Sequence, residues 1–157
     1  MEYCEKFLEG YKYAMEKEIF YGSFYMINFD KPCKFHCRSC LPTPHLTYDG
    51  FVSCCDMCFS IEIPEVMHKL IYGFWDDDNK CIVYDKEKIS AIRTRRIENI
   101  QQCKSCEISP YCGGYCIGEV LNETGDFYGV LPERCEAIRF LHSRLAVGKL
   151  QIPALHP

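Results

Sequence analysis

The chain has 157 residues, 48% hydrophobic and 25% charged, which excludes a disordered polar tract and allows one small domain with extensions. Its formal charge of −4 argues against a nucleic-acid partner, and no apolar run approaches a membrane span. Thirteen cysteines are far too many for an ordinary intracellular enzyme unless they bind metal. A secreted disulfide scaffold is the competing explanation. The odd count and the tight clustering of the cysteines weaken it. So does the segment Met1 to Tyr11, where Glu2, Glu5, Lys6 and Glu9 leave no apolar signal core. The expectation is a cytoplasmic, reduced protein.

Tyr3 to Lys17 has helical periodicity, with Tyr3, Phe7, Tyr11, Ala14 and Met15 on one face. The aromatic stretch Phe20 to Asn28 reads as a strand. A first cysteine group, Cys33 to Cys40, follows, and Pro42 and Pro44 punctuate the loop after it. Leu46 to Cys55 reads as a β-hairpin, because Asp49-Gly50 is a favoured two-residue turn. Ile82 to Tyr84 is a short apolar run. Asp85 is the expected N-cap of a helix over Lys86 to Ile97, with Ile89 and Ile92 inward. Arg93, Arg95 and Arg96 read as a solvated basic face. A second cysteine group runs from Cys103 to Cys116, with Gly113 and Gly114 letting the backbone turn closely around a bound object. A last helix, Cys135 to Ala146, carries Ile138, Leu141 and Leu145 on one face. The fold class expected is a small, irregular α+β domain. Residues 1–30 form a helix and strand, 31–147 the cysteine-rich domain, and 148–157 a tail. Regular structure is sparse for the length, so bound metal is expected to supply part of the folding free energy.

The strongest chemical signal is Cys103-x2-Cys106-x5-Cys112-x3-Cys116, with Cys135 nineteen positions on. A Cys-x-x-Cys loop brings two thiolates to one centre, and two more cysteines close a four-thiolate site. Zinc and a [4Fe–4S] cluster both accept such a site, and spacing alone does not choose between them. The second signal is Cys40-x9-Gly50-x4-Cys55. The hairpin turn folds the strands back so that Cys40 and Cys55 approach, with Cys33 and Cys37 just upstream to complete a set.

The combined order resembles the SPASM domain, the auxiliary-cluster domain of radical S-adenosylmethionine peptide and protein maturases. The resemblance covers about Cys33 to Cys135 and includes Tyr48-Asp49-Gly50, Ile100 and Cys112-Gly113-Gly114. It implies two interleaved [4Fe–4S] clusters. The first would take Cys40, Cys55, Cys116 and one of Cys37 or Cys33, with Cys37 preferred. The second would take Cys103, Cys106, Cys112 and Cys135. It also implies a β-hairpin with cluster-binding loops and flanking helices. The partner would be a peptide or protein substrate, and the role electron transfer or substrate placement. Asp56, directly after Cys55, corresponds to an acid thought to accept a proton from a substrate radical. A carboxylate beside a cluster can do so where burial disfavours its charged form.

Cys33-x3-Cys37-x2-Cys40 also matches the spacing of a catalytic, S-adenosylmethionine-binding cluster. The barrel that would follow needs on the order of 200 residues, and 117 follow Cys40. Ser39 stands where that motif usually has an aromatic residue, and Cys40 already belongs to the Gly50 pattern. The chain is therefore expected to be the non-catalytic part of such an enzyme, a fragment or split subunit. S-adenosylmethionine would enter only through a barrel elsewhere or a partner chain, and residues 1–30 would be a remnant of that barrel. Cys54 and Cys58 are expected to be spare structural thiols, Cys4 and Cys81 core residues, and His36 and His45 non-ligands. Tyr111 and Tyr115 would shield the clusters from water. A zinc-binding interaction module and a stand-alone ferredoxin-like electron carrier are the alternative functions.

Overall fold

A computed structural model describes residues 1–145, so the expected tail and Ala146 lie outside the described residues. Helix α1 spans Glu2–Glu16 and buries Cys4, Phe7 and Ala14. Tyr3 and Met15, expected on that face, are exposed instead. The small Cys4 lets α1 lie close to the C-terminal helix, where its Sγ approaches the Ala137 carbonyl at 3.8 Å.

Phe20 to Asn28 is not a strand. Phe24–Met26 forms a 3-10 turn, and the Ser23 hydroxyl accepts from the Tyr25 amide at 3.3 Å. Tyr21 and Tyr25 meet rings of α1 and not a sheet, while Phe20, Tyr21 and Phe24 stay exposed. Phe7 stacks on Tyr21 with centroids 5.1 Å apart, and Tyr3 meets Tyr25 edge-on at 5.5 Å. Aromatic β-propensity expresses a fit to a half-buried surface, and helices supply that surface here.

Strands β1 (His45–Leu46), β2 (Phe51–Ser53), β3 (Ile71–Asp76) and β4 (Cys81–Tyr84) form an antiparallel meander in chain order. The expected hairpin is β1–β2, pairing Leu46 with Val52. Its loop is longer than a two-residue turn. The Thr47 amide bonds the Phe51 carbonyl at 2.8 Å, enclosing Tyr48, Asp49 and Gly50, and Gly50 sits at φ 85°. This is the three-residue loop that ends on a left-handed residue, which glycine adopts without strain. Strand β3 went unassigned by sequence pattern. Its Gly73 is demanded by close pairing, since a Cβ there would lie 2.7 Å from the Val83 carbonyl oxygen. A bulge between Val52 and Ser53 shifts the β2–β3 register and turns the chain out of the sheet toward Cys54 and Cys55. Cys81, expected in the core, is exposed on the edge strand β4.

Helix α2 (Lys86–Arg93) begins at Asp85, whose Oδ1 accepts from the Glu87 and Lys88 amides, both at 3.0 Å. It ends four residues short of Ile97. Lys88 ties it to the sheet by donating to the Ile71 carbonyl at 3.0 Å. Arg95 does not share a solvated face with Arg93 and Arg96: its exposure is 0%. The C-terminal part holds α3 (Ser109–Cys112), α4 (Ile117–Thr124) and α5 (Pro132–Arg144). Helix α5 starts before Cys135 because Pro132, with its fixed φ, opens it.

The unforeseen α4 separates two hydrophobic cores. Ile117 and Leu121 face the sheet and α2, with Val52, Leu70 and Ile92. Cys116 and Val120, one position earlier in each turn, face α1 and α5, with Phe7, Ile138 and Leu141. The cysteines are part of both cores. No described helix is long and apolar enough to cross a membrane.

Asp85→Ala removes the side-chain cap of α2 and is expected to cost about 1 kcal/mol. The shift should appear in the urea midpoint of metal-free protein. Metal uptake should be unchanged, since neither cysteine set lies on α2; a loss of uptake would contradict this division.

Candidate metal centre

All thirteen cysteines are free thiols. Eight of them gather in two sets of four, and the backbone explains the division. Cys37 precedes a 3-10 turn, Arg38–Cys40, that carries Cys40 inward. The β2 bulge delivers Cys55 to the same place. Cys116 caps the N-terminus of α4, where its Sγ accepts from the Glu119 amide at 3.5 Å. Each of these thiols lies within the electrostatic field of others in the set: Cys37 of Cys55, Cys40 of Cys37 and Cys116, and Cys116 of Cys37 and Cys55. Gly118 makes the approach possible, because a Cβ there would lie 2.9 Å from the Cys55 Sγ.

Cys33 stands apart. Its Sγ donates to the Phe35 carbonyl at 2.7 Å, and the charged group acting on it is Asp30, not a cysteine. Of the two upstream candidates, Cys37 joins the set and Cys33 does not.

The second set is Cys103, Cys106, Cys112 and Cys135. Cys103 ends a 3-10 turn, and the Cys106 amide bonds back to its carbonyl at 3.1 Å. Cys112 ends α3, and Cys135 lies in the first turn of α5. All four line one cavity of about 220 Å³, together with Ile108, Val130, Pro132 and Ile138. The cavity is half open to solvent and has room for a group larger than one water molecule between its thiols and apolar side chains. Arg139, one turn beyond Cys135, reaches the Cys106 Sγ at 3.8 Å.

The chain parts between Cys112 and Cys116 because Gly113, Gly114 and Tyr115 have φ of 64°, 82° and 61° in succession. The loop presses on the first cysteine group. A Cβ on Gly113 would lie 2.4 Å from the Phe35 carbonyl carbon. His36 is buried beneath it, with Nδ1 2.9 Å from the Cys112 carbonyl oxygen. This histidine packs the loop, its ring centroid 4.5 Å from that of Phe24 and 5.3 Å from that of Tyr115. The Tyr115 hydroxyl donates to Glu119 Oε2 at 2.7 Å, and Arg134 holds Oε1 of the same carboxylate at 2.7 Å. Tyr115 is buried and Tyr111 half-buried.

Burial is the first cause of raised thiol pKa values in both sets. Cys40 and Cys112 are pushed up to about 12, and Cys103 and Cys116 to about 11. Cys37 and Cys135 are raised for the same reason. Cys55 is the exception: a hydrogen bond from the Cys58 thiol holds it low, and Cys58 is raised in return. Cys58 and Cys54 are both buried in the core beside this set, where they pack as structural thiols. Asp56 is 80% exposed at its side chain and pairs with His45 Nδ1 at 2.9 Å and Arg38 at 3.6 Å. The burial that its proposed base role requires is not present.

The two sets are neighbourhoods of thiols and not preformed one-ion sites: among the described residues, no three or more His, Cys, Asp or Glu side chains are arranged so that they could hold a metal ion. No protein-family model, curated protein or solved structure matches the chain. Sequence reasoning missed Arg95, which lies between the sets, and Gly118. Neither belongs to a motif, and only the packing reveals them.

Two outcomes follow. Gly113→Ala places an L-residue at positive φ, at about 1–2 kcal/mol, and adds a clash with Phe35; it should lower the thermal midpoint well below that of Asp85→Ala. A smaller loss would mean that the loop yields freely. The metal-free fold prefers neutral thiols at Cys40, Cys103, Cys112 and Cys116. That stability is present below the ordinary thiol value of 9.0 and is lost as pH rises from there through about 11 to 12. Under reductant, the thermal midpoint of metal-free protein should fall across that window; a rise would show that the thiols are not buried as described.

Proposed function

We propose that the chain is an auxiliary iron–sulfur domain of the SPASM type, holding two [4Fe–4S] clusters in the service of a radical enzyme that modifies a peptide or protein. The observation that carries the reading is the crossing of the two sets. Cys116 sits with Cys37, Cys40 and Cys55, while Cys135, nineteen residues later, sits with Cys103, Cys106 and Cys112. A purely local site would have kept Cys116 with its sequence neighbours.

The donor chemistry suits the groups proposed. Four thiolates bind a [4Fe–4S] cluster. A single zinc ion would draw its four ligands to about 2.3 Å from one point, whereas a cluster binds them at the corners of a larger body. The second set surrounds a cavity rather than converging on a point, which favours the cluster over the zinc module. When bound, each cluster would supply one-electron redox chemistry. The residues of the chain hold it, exclude water and set its electrostatics. The described sheet is a four-stranded antiparallel meander. Cleavage of S-adenosylmethionine therefore belongs, in this reading, to a barrel supplied elsewhere.

Raised thiol pKa values give cluster loading a defined sign. Each protonated cysteine must release its proton to bind metal, so loading strengthens with rising pH while the metal-free fold weakens.

Anaerobic reconstitution should give brown protein with about eight irons per chain, four in each cluster. Cys135→Ala should leave about four irons and remove the cluster of Cys103, Cys106 and Cys112. Cys116→Ala should also leave about four but remove the other cluster, as should Cys37→Ala, while Cys33→Ala keeps both. Paramagnetic resonance distinguishes which cluster remains. Loss of the same cluster in Cys116→Ala and Cys135→Ala would sink the interleaved assignment. Colourless protein with stoichiometric zinc would establish the interaction module instead.

A further inference from the structure

Arg95 is among the largest fully buried side chains of the described residues. Its Nη2 donates to the Gly114 carbonyl at 2.6 Å, and its Nη1 donates to the Phe127 carbonyl. Its Nε has no hydrogen-bond partner. No described carboxylate forms an ion pair with it; the ion pairs of the arginines involve Arg38 and Arg134. A guanidinium keeps its charge under all ordinary conditions, and burying a charge without a counter-ion is strongly unfavourable. Two carbonyl oxygens solvate it in part but do not neutralise it.

The anionic partners available to it are cysteines, and they come from both sets. The thiols whose charge acts on Arg95 are Cys40, Cys103, Cys116 and Cys112. Two belong to each set. The Gly114 carbonyl that it holds lies on the loop where the chain passes from one set to the other. As neutral thiols these cysteines offer no negative charge. As thiolates around a cluster they do, because a four-thiolate [4Fe–4S] centre is an anion and becomes more negative when it takes an electron.

We propose that Arg95 is a buried counter-cation shared by the two cysteine sets, and that it raises the reduction potentials of both clusters by favouring their more negative, reduced forms. This rests on the reading that both sets hold clusters. Arg95 is a positioning and electrostatic residue, not a ligand. One fixed positive charge between two centres also offsets the repulsion between them when both are reduced. Its influence is little weakened by salt, because the guanidinium, Cys40, Cys112 and Cys116 are buried. Net charge and hydrogen bonding near a cluster are established determinants of its potential, so a fixed charge here acts on the property that decides which electrons the domain accepts.

The test uses the full chain, reconstituted anaerobically with iron and sulfide. Midpoint potentials are read by paramagnetic resonance during titration with dithionite. Arg95→Met removes the charge at similar length; Arg95→Lys keeps the charge but loses the planar fork. The expected result is that both midpoints move to more negative values in Arg95→Met and stay near those of the unsubstituted chain in Arg95→Lys. The proposal is overturned if Arg95→Met holds both clusters at unshifted potentials, if only one midpoint moves, or if the lysine variant shifts as far as the methionine one. If Arg95→Met loads no cluster, Arg95→Lys decides. Loading with unshifted midpoints upholds the need for charge, and failure to load shows that only the hydrogen-bonding shape matters, which overturns the proposal. Failure of the unsubstituted chain to take up iron would instead overturn the cluster reading on which the proposal stands.

Discussion

Cys112 and Cys116 are four positions apart, a spacing that on a continuous helix would set them on one face. Three successive left-handed residues, Gly113, Gly114 and Tyr115, break that face between α3 and α4. Two glycines adopt this conformation freely, but Tyr115 does so against a preference of about 1–2 kcal/mol. It is held by its hydroxyl on Glu119 at 2.7 Å and by its ring against Tyr25 at 5.7 Å. The strain is therefore sustained by specific contacts on both sides. What it achieves is the delivery of one cysteine to each set from a five-residue stretch. Because the same loop rests on the Phe35–His36 backbone, the N-terminal and C-terminal cysteine groups become one packed unit.

That junction also explains why two small cores suffice. The core beside the sheet contains Cys40, Cys54, Cys55 and Cys58, and the core beside α1 contains Cys4, Cys112 and Cys116. A buried thiol packs as a small hydrophobe while it is neutral. In the proposed reading the metal-free fold would store its ligands as core side chains, with their protons retained by burial. Loading would exchange protons for metal–sulfur bonds and turn a neutral interior into a charged one, and Arg95, which has no described carboxylate partner, would be better compensated by that change.

The sequence made legible what depends on spacing or on a local hydrogen bond. Cysteine intervals outlined both sets, Asp85 announced α2, and Asp49-Gly50 announced the β1–β2 hairpin. What it obscured depends on tertiary surroundings. The aromatic run Phe20–Asn28 looks extended by propensity, but Tyr21 and Tyr25 meet rings of α1 and not a sheet. Strand β3 has Gly73 at its centre, which dilutes a strand pattern, although close pairing with β4 requires it. Helix α4 is only eight residues long, and its apolar Ile117, Val120 and Leu121, although at helical spacing, are too few to announce it. Arg95 carries the same residue type as its exposed neighbour Arg93, and nothing in the order of residues distinguishes the two.

The environment of Asp56 bears on how the first set would meet a substrate. The residue lies beside Cys55 on the rim of a cavity of about 330 Å³ that is also lined by His45, Tyr48 and Phe59. Tyr48 and Phe59 are largely exposed there, although both are large apolar rings. In the free chain the carboxylate is open to water and shared between His45 and Arg38. A carboxylate becomes a stronger proton acceptor when water is excluded and its cationic partners are drawn away. The free site has neither condition. An occupant laid across Tyr48 and Phe59 would cover the rim and displace water from Asp56 in the same movement. If Asp56 serves as a base in the proposed function, proton transfer there would be tied to occupancy of this cavity.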